Sequence, residues 1–412
     1  MGRRLKGRES QKTCRKRRVL VEMANPQAIS LGDFFFTICF REPPGRKKKM
    51  PKKLPDTLKD VLNAVGPVDS TWIDKARART SQLIMPHRAL GRLHDISERL
   101  CGIQQTLTPK ADRKAVLVMA GDHGIASEGV SAYPQEVTGA MVKAFLNGGA
   151  GINALSRHAK AEVWVADLGI IPDIESGGDR RLLVHKVSRG TRNFAHGQAM
   201  TREQAELSIL TGFRIASQRF AEGIDLLGTG DMGIGNSTPS AAIGAVLTGK
   251  SVEVTVGRGT GIDDRGLKIK REMIKRGIDL NRPDPTDGLD VLAKVGGFEI
   301  GGIAGAIFAG AYHRKPVVVD GFISTAGALV AHALCPAVRD YLFAGHRSEE
   351  QGHAAMLAHI GLDPILDLGM RLGEGTGAVL AMSIIDAAAC VFKEVATFDE
   401  AGVPRKGGPD SH

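Results

Sequence analysis

Cysteine is scarce in this chain. There are five in 412 residues, Cys14, Cys39, Cys101, Cys335 and Cys390, with no C-x-x-C and no regular spacing. That excludes a disulfide-stapled scaffold and reads as reduced thiols in a reducing cytoplasm. Aromatic residues make up only 5%. No uninterrupted apolar run reaches the ~18–20 residues of a membrane span; the nearest, Ile300 to Tyr312, is short and mostly Gly and Ala. A soluble protein with no membrane partner is expected. Basic residues near the start precede apolar stretches, but Glu22, Asn25, Pro26 and Asp33 interrupt them, which argues against a signal peptide. Histidines follow Asp122 (His123) and recur at His346, His353 and His359, yet none forms a tight set such as H-E-x-x-H. They are expected to be hydrogen-bonded loop residues, with no metal.

What the chain does have is glycine, 51 residues, and an apolar fraction of 42% that can fill a sizeable core. So much glycine without a G-X-Y period implies tight turns and close backbone approaches, and places the chemistry in glycine loops. The formal net charge of +10 is unevenly distributed. Residues 1–55 hold 16 Lys/Arg against 4 Asp/Glu, leaving 39 against 41 in residues 56–412. A nucleic-acid-binding fold carries its basic stripe on the folded body. Here the basicity belongs to the blocks Arg15–Arg18 and Arg46–Lys49, so no nucleic-acid partner is expected. Residues 1–55, with five prolines among these blocks, read as a disordered extension: a polyanion- or membrane-surface-binding arm, a solvated tail, or sequence ahead of a start at Met50.

From residue 56 the pattern becomes strand, glycine loop, helix. Strands are expected at Ala115–Met119, Glu162–Asp167, Leu182–Val187, Ile224–Leu227, Val252–Val256, Pro316–Val319 and Tyr341–Phe343. Helices are expected at Val137–His158, Thr201–Phe220, Ser240–Leu247 and Ile300–Tyr312. This alternation predicts an α/β fold with a doubly wound, mostly parallel sheet. Ligands in such sheets bind beyond the carboxyl ends of the strands.

Several loops invite a chemical reading. Gly244 to Ser251 spells G-x-x-x-x-G-K-S, but a helical stretch precedes it and a strand is expected after it, the reverse of a phosphate loop. Val317-Val-Val-Asp320-Gly321 looks like the start of a phosphoribosyl-pyrophosphate site without its second acid. Gly228 to Gly233 matches G-x-G-x-x-G, with Asp231 set to repel a dinucleotide pyrophosphate. Its continuation, Gly235-Asn236-Ser237, supplies amides and hydroxyls at a helix start and suits one phosphate. A second loop, Gly257-Arg258-Gly259-Thr260-Gly261, is followed by Lys268 and Lys270, either of which would add a point charge or stay solvated. In Gly373-Glu374-Gly375 a lone glutamate sits between glycines, after Ile365–Leu368 and before the apolar helix Ala378–Phe392. Partial burial there raises a carboxyl toward the range of a general base.

Taken in order, GDHG at 121–124, GVSAYPQEVT at 129–138, GDMGIGNST at 230–238, VGRGTG at 256–261, GFEIGGIAGA at 297–306, VVVDGFISTAGAL at 317–329, HRSEEQGH at 346–353 and LDLGMRLGEGTGA at 366–378 resemble one family. It is the nicotinate-nucleotide–dimethylbenzimidazole phosphoribosyltransferase family, and the resemblance spans about residues 56–396. It implies transfer of the phosphoribosyl group of nicotinate mononucleotide to 5,6-dimethylbenzimidazole, giving α-ribazole 5′-phosphate for the lower ligand of cobalamin, without a cofactor. The implied base is Glu374, with Asp231 a secondary acid. Gly233, Gly235, Asn236, Ser237, Arg258, Gly259, Ser131 and Ser348 fall in the substrate-binding blocks, and Lys270, rather than its neighbour Lys268, aligns best with the phosphate-side lysine. The family pattern also implies a catalytic body over 56–412, a smaller helical part built from about 56–110 and the C-terminal helix region, and a homodimer. Two other classes are weighed against it. A dinucleotide oxidoreductase would bind at Gly228–Gly233, and a nucleotide sensor would need its basic arm. Residues Gly139-Ala140 offer no side-chain amide to orient a substituted base, so the pattern leaves adenine or another benzimidazole open as acceptor.

Overall fold

The computed structural model describes residues 54–404 apart from 176, and the extension expected over 1–55 lies almost wholly outside the described residues. Seven strands form one sheet: β1 Lys114–Gly121, β2 Ala161–Gly169, β3 Leu182–Val184, β4 Leu226–Met232, β5 Val317–Val319, β6 Leu342–Ser348 and β7 Pro364–Met370. Their order is β3-β2-β1-β4-β5-β6-β7 and every pairing is parallel. The chain starts in the middle, winds to one edge, then crosses back to place β4 against β1, in register from Lys114 opposite Leu226. The reversal between β1 and β4 is the switch point at which doubly wound sheets open a crevice.

β1 is buried at all eight residues and β5 at all three, so continuous apolar runs mark the centre of the sheet. One face is covered by the helix Phe298–His313, which packs on β1, β2 and β4, with Arg202–Ala221 behind it and Phe322–Leu334 beside it. On the opposite face lie Gly151–Ala159 over β2 and Thr376–Glu394 over β6, β4, β5 and β7. The helices Ser70–Thr80 and Arg92–Gln104 pack on each other, and the second packs on Thr376–Glu394. Early and late segments of the body meet as well, through a bridge between Leu83 and Thr397.

Three expectations need correction. Val252–Val256 is not a strand: Val252–Thr255 is a single helical turn after Ser251. Only Val252, Thr255 and Val256 are buried there, a helical i, i+3 spacing that the β-branched composition conceals. The long helix expected over Val137–His158 is two, Val137–Asn147 and Gly151–Ala159, because Gly148 takes a left-handed φ of 78° and ends the first. β7 is absent from the expected strands; as an edge strand it is largely exposed and lacks the buried apolar run of the others.

Glycine also does something the loops do not suggest. In GFEIGGIAGA, Gly301, Gly302 and Gly305 lie within a helix, where a Cβ on Gly305 would come 1.9 Å from the Ile209 carbonyl oxygen, and one on Gly212 2.0 Å from that of Gly302. These positions let two helices touch backbone to backbone. The 19-residue helix Thr376–Glu394 is apolar and long enough to cross a membrane, but Ala378, Val379, Ala381, Met382, Ile385, Ala388 and Ala389 are buried in the core.

Candidate active site

The carboxyl ends of five strands converge on one acidic region. Asp122 and His123 follow β1, Asp231 lies near the end of β4, Asp320 follows β5, Ser348 ends β6, and the Arg371–Glu374 turn follows β7. Beyond β4–β7 opens a cavity of about 480 Å³. Its walls include Asp231, Asn236, Ser237, Gly259, Ser348 and Gly373, with Tyr133, Phe322, Ile323 and Leu372 supplying apolar surface.

Lys270 is the buried cation of this site. It is fully buried, whereas Lys268 is exposed. Its ammonium donates to Ser237 Oγ at 2.8 Å and to the Gly257 carbonyl at 3.3 Å. Gly259 leaves room for this contact: a Cβ there would stand 2.6 Å from Ser237 Oγ and 3.1 Å from Lys270 Nζ. Burial pushes the lysine down to about 8, against an opposing pull from Glu350. Ser237, a cavity wall at the start of its helix, is therefore backed by a buried lysine from a helix 33 residues away.

Glu374 is 6% exposed and adopts a left-handed φ of 63°, a conformation rare for a side chain of its size. Asp320 holds it there. That carboxylate, fully buried, accepts the amide protons of Gly375 at 3.1 Å and Ala378 at 2.9 Å, at the start of the helix Thr376–Glu394. Glu374 Oε2 in turn accepts from the Ile152 amide at 3.0 Å, in the first turn of Gly151–Ala159. Burial raises the Glu374 carboxyl above its ordinary range and Asp320 adds to this, while the Ile152 amide opposes both. Glu374 is not itself a wall of the cavity; it lies one residue behind Gly373, which is.

Asp231 faces the cavity, and its Oδ2 accepts from Asn236 Nδ2 at 2.9 Å. Burial, reinforced by Asp320, drives it up to about 8, so it is mostly protonated at neutral pH. Asp320 is raised by the same burial, against His346, whose Nε2 is 3.9 Å away.

The remaining sequence candidates divide. Asn236, Ser237, Gly259 and Ser348 line the cavity. Gly233 and Gly235 do not; they pack the turn onto Gly121, His123 and Ala126. Ser131 bonds Thr260 Oγ1 at 3.2 Å and ties the 129–138 loop to the wall loop. Arg258 is turned away. Its guanidinium reaches the Ile262 carbonyl at 3.0 Å and Asp264 Oδ1 at 2.5 Å, pinning its own turn outside the cavity. The G-x-x-x-x-G-K-S stretch is a helix C-cap at Gly249, with φ 68°, preceded by Ser237–Thr248 rather than a strand.

Some participants are not legible in the sequence. Asp320 reads there only as a fragment of a pyrophosphate motif; an acid directly after a buried strand is the signal that points to it. Glu299, in an apolar helix, pairs with His123 Nε2 at 2.9 Å, both buried. Burial alone would lower His123, but Glu299 turns the balance upward. Arg371 and Tyr133 line the cavity with no spacing that marks them, and His346, expected in a loop, lines it from strand β6.

A phosphoribosyltransferase family model matches residues 65–403. The nicotinate-nucleotide–dimethylbenzimidazole phosphoribosyltransferase of Desulforudis audaxviator is 52% identical over 348 residues, 84% of this chain and 98% of that one. That of Geobacter sulfurreducens is 54% identical over 346 residues, again 84% and 98%. This chain belongs to the nicotinate-nucleotide–dimethylbenzimidazole phosphoribosyltransferase family. The crystal structure of CobT from Thermus thermophilus superposes with a TM-score of 0.78 at 48% identity, covering 82% of this chain and all of that one. Membership disfavours the oxidoreductase reading.

Proposed function

We propose that this family member transfers the 5-phosphoribosyl group of nicotinate mononucleotide to 5,6-dimethylbenzimidazole, releasing nicotinate and forming α-ribazole 5′-phosphate for cobalamin nucleotide-loop assembly. The observation that carries the residue assignment is the buried carboxylate of Glu374, held by the Ile152 amide behind the wall of a cavity lined by Ser237, whose hydroxyl accepts from the buried Lys270.

The reaction's charge balance suits these residues. The leaving nicotinate ring of the mononucleotide is a cationic pyridinium, so its departure neutralises the ring and requires no acid. Attack on C1′ by one imidazole nitrogen of the acceptor puts positive charge on that ring, and the N–H of the other nitrogen must then be lost. Glu374 accepts that proton. Burial keeps it basic enough to hold a proton, and the Ile152 amide keeps it ionised enough to take one. Lys270, Ser237, Asn236 and Ser348 hold the phosphate, fixing the ribose while the acceptor approaches the face opposite nicotinate, which inverts β to α. Asp231, largely protonated, is a secondary acid that lines the same space without competing as a second base.

The reading extends to a cytoplasmic homodimer. Leu368 and Leu372, 60% and 59% exposed on edge strand β7 and the turn after it, support an apolar contact there. Incubation with nicotinate mononucleotide and dimethylbenzimidazole, followed by chromatography, is expected to yield nicotinate and ribazole phosphate in equal amounts. No turnover with dimethylbenzimidazole, other benzimidazoles or adenine overturns the activity, and a monomeric mass by sedimentation overturns the dimer.

A further inference from the structure

His353 lies outside the cavity walls, is fully buried, and touches two elements that do form them. Its Nδ1 accepts the backbone N–H of Ser348 at 2.8 Å. The other nitrogen, Nε2, is 2.9 Å from Thr325 Oγ1. An Nδ1 that accepts an amide proton carries none, so the neutral ring has its hydrogen on Nε2 and donates it to the threonine. Thr325 is fully buried in the helix Phe322–Leu334, whose opening residues Phe322 and Ile323 face the cavity together with Gly321. Ser348 ends β6 and faces the cavity from the neighbouring strand. Its hydroxyl, besides facing that space, accepts the Glu350 amide at 3.3 Å.

We infer that His353 is a positioning residue for the nucleotide phosphate: a single-tautomer link from Thr325 to the Ser348 amide that fixes where the Ser348 hydroxyl stands. The link joins the end of β6 to the helix after β5, beyond the point where strand pairing at Val317–Val319 ends. A protonated ring would set an N–H against the Ser348 N–H and break the link. Burial, with His346 nearby, holds His353 neutral by pushing it down to about 3. The charged and titratable groups around it are His346, whose ring centre is 6.2 Å away, and Arg347. The inference rests on the phosphate-holding role proposed for Ser348.

The test is a set of variants assayed for KM and kcat with both substrates: Ser348→Ala, His353→Leu, His353→Asn, Thr325→Val, and the Ser348→Ala/His353→Leu double variant. His353→Leu is expected to raise KM for nicotinate mononucleotide by about tenfold, with kcat and the acceptor KM changed less than about threefold. His353→Asn, whose amide oxygen sits near the Nδ1 position, should restore most of the loss. Thr325→Val keeps shape and packing and should raise the same KM in the same direction, covering the case in which His353→Leu fails to fold. The double variant should be no worse than Ser348→Ala alone. Additive losses, an equal rise in the acceptor KM, or no rise from Thr325→Val with the protein folded overturns the positioning role. If the unsubstituted chain turns over neither substrate, the proposed function falls first and the positioning role with it; turnover with additive variants removes the positioning role alone.

Discussion

Asp320 and Ala378 stand 58 residues apart in sequence and are joined by a buried hydrogen bond of 2.9 Å from the Ala378 amide to Asp320 Oδ1. The second oxygen takes the Gly375 amide. The loop that carries Glu374 is therefore anchored by an acid that directly follows strand β5, and its left-handed backbone is maintained from outside. Asp320→Ala should orphan both amides and cost about 2–4 kcal/mol in stability. Asp320→Asn keeps one acceptor and should cost less. Urea unfolding of both variants checks the ranking.

Glu374→Gln removes the proton acceptor while keeping shape and the Ile152 contact. Turnover should fall by ~10²–10⁴, with affinity for nicotinate mononucleotide within about threefold of the unsubstituted value by calorimetry. Unchanged turnover would assign the proton to another group.

Lys270 holds its proton below about 8 and loses it above. The phosphate grip should weaken as pH rises through 8, seen as an increasing KM for the nucleotide with less change in kcat. The stability effect runs the other way. Between about 8 and the ordinary lysine value of 10.5 the unfolded chain binds more protons at this site, so raising pH favours the folded state. Asp231 has the opposite balance: between the ordinary 3.8 and about 8 the folded form keeps the extra proton, and stability from this group declines as pH rises. Asp231→Asn should flatten that decline in melting curves taken from pH 5 to 9.

Glu299→Ala would leave a buried His123 without its hydrogen-bond partner. A loss of about 1–3 kcal/mol is expected, larger than for Glu299→Gln, and thermal unfolding separates the two.

Arg258 tests the corrected site. Because its guanidinium serves Asp264 and Ile262, Arg258→Ala should leave the nucleotide KM within about twofold. A tenfold rise would return it to the phosphate site.

Local order along the chain is enough to announce the sheet. Buried strands such as β1 and β5 are continuous apolar runs, and the glycine stretches Gly233–Gly235 and Gly373–Gly377 fall where strands end, so the parallel architecture and the positions of Asp231, Ser237 and Glu374 are legible. Val252–Thr255 and β7 are not, because a single turn of β-branched residues and an exposed edge strand carry no distinctive period. The cavity itself is decided only by folding. Which lysine turns inward, that Arg258 turns outward, and that Asp320 grips the Glu374 loop all depend on loops and a helix far apart in sequence meeting at the carboxyl ends of the strands. A one-dimensional pattern records which groups are present at each strand end; the burial and mutual distances that set their charge and their partners exist only once the strands lie side by side.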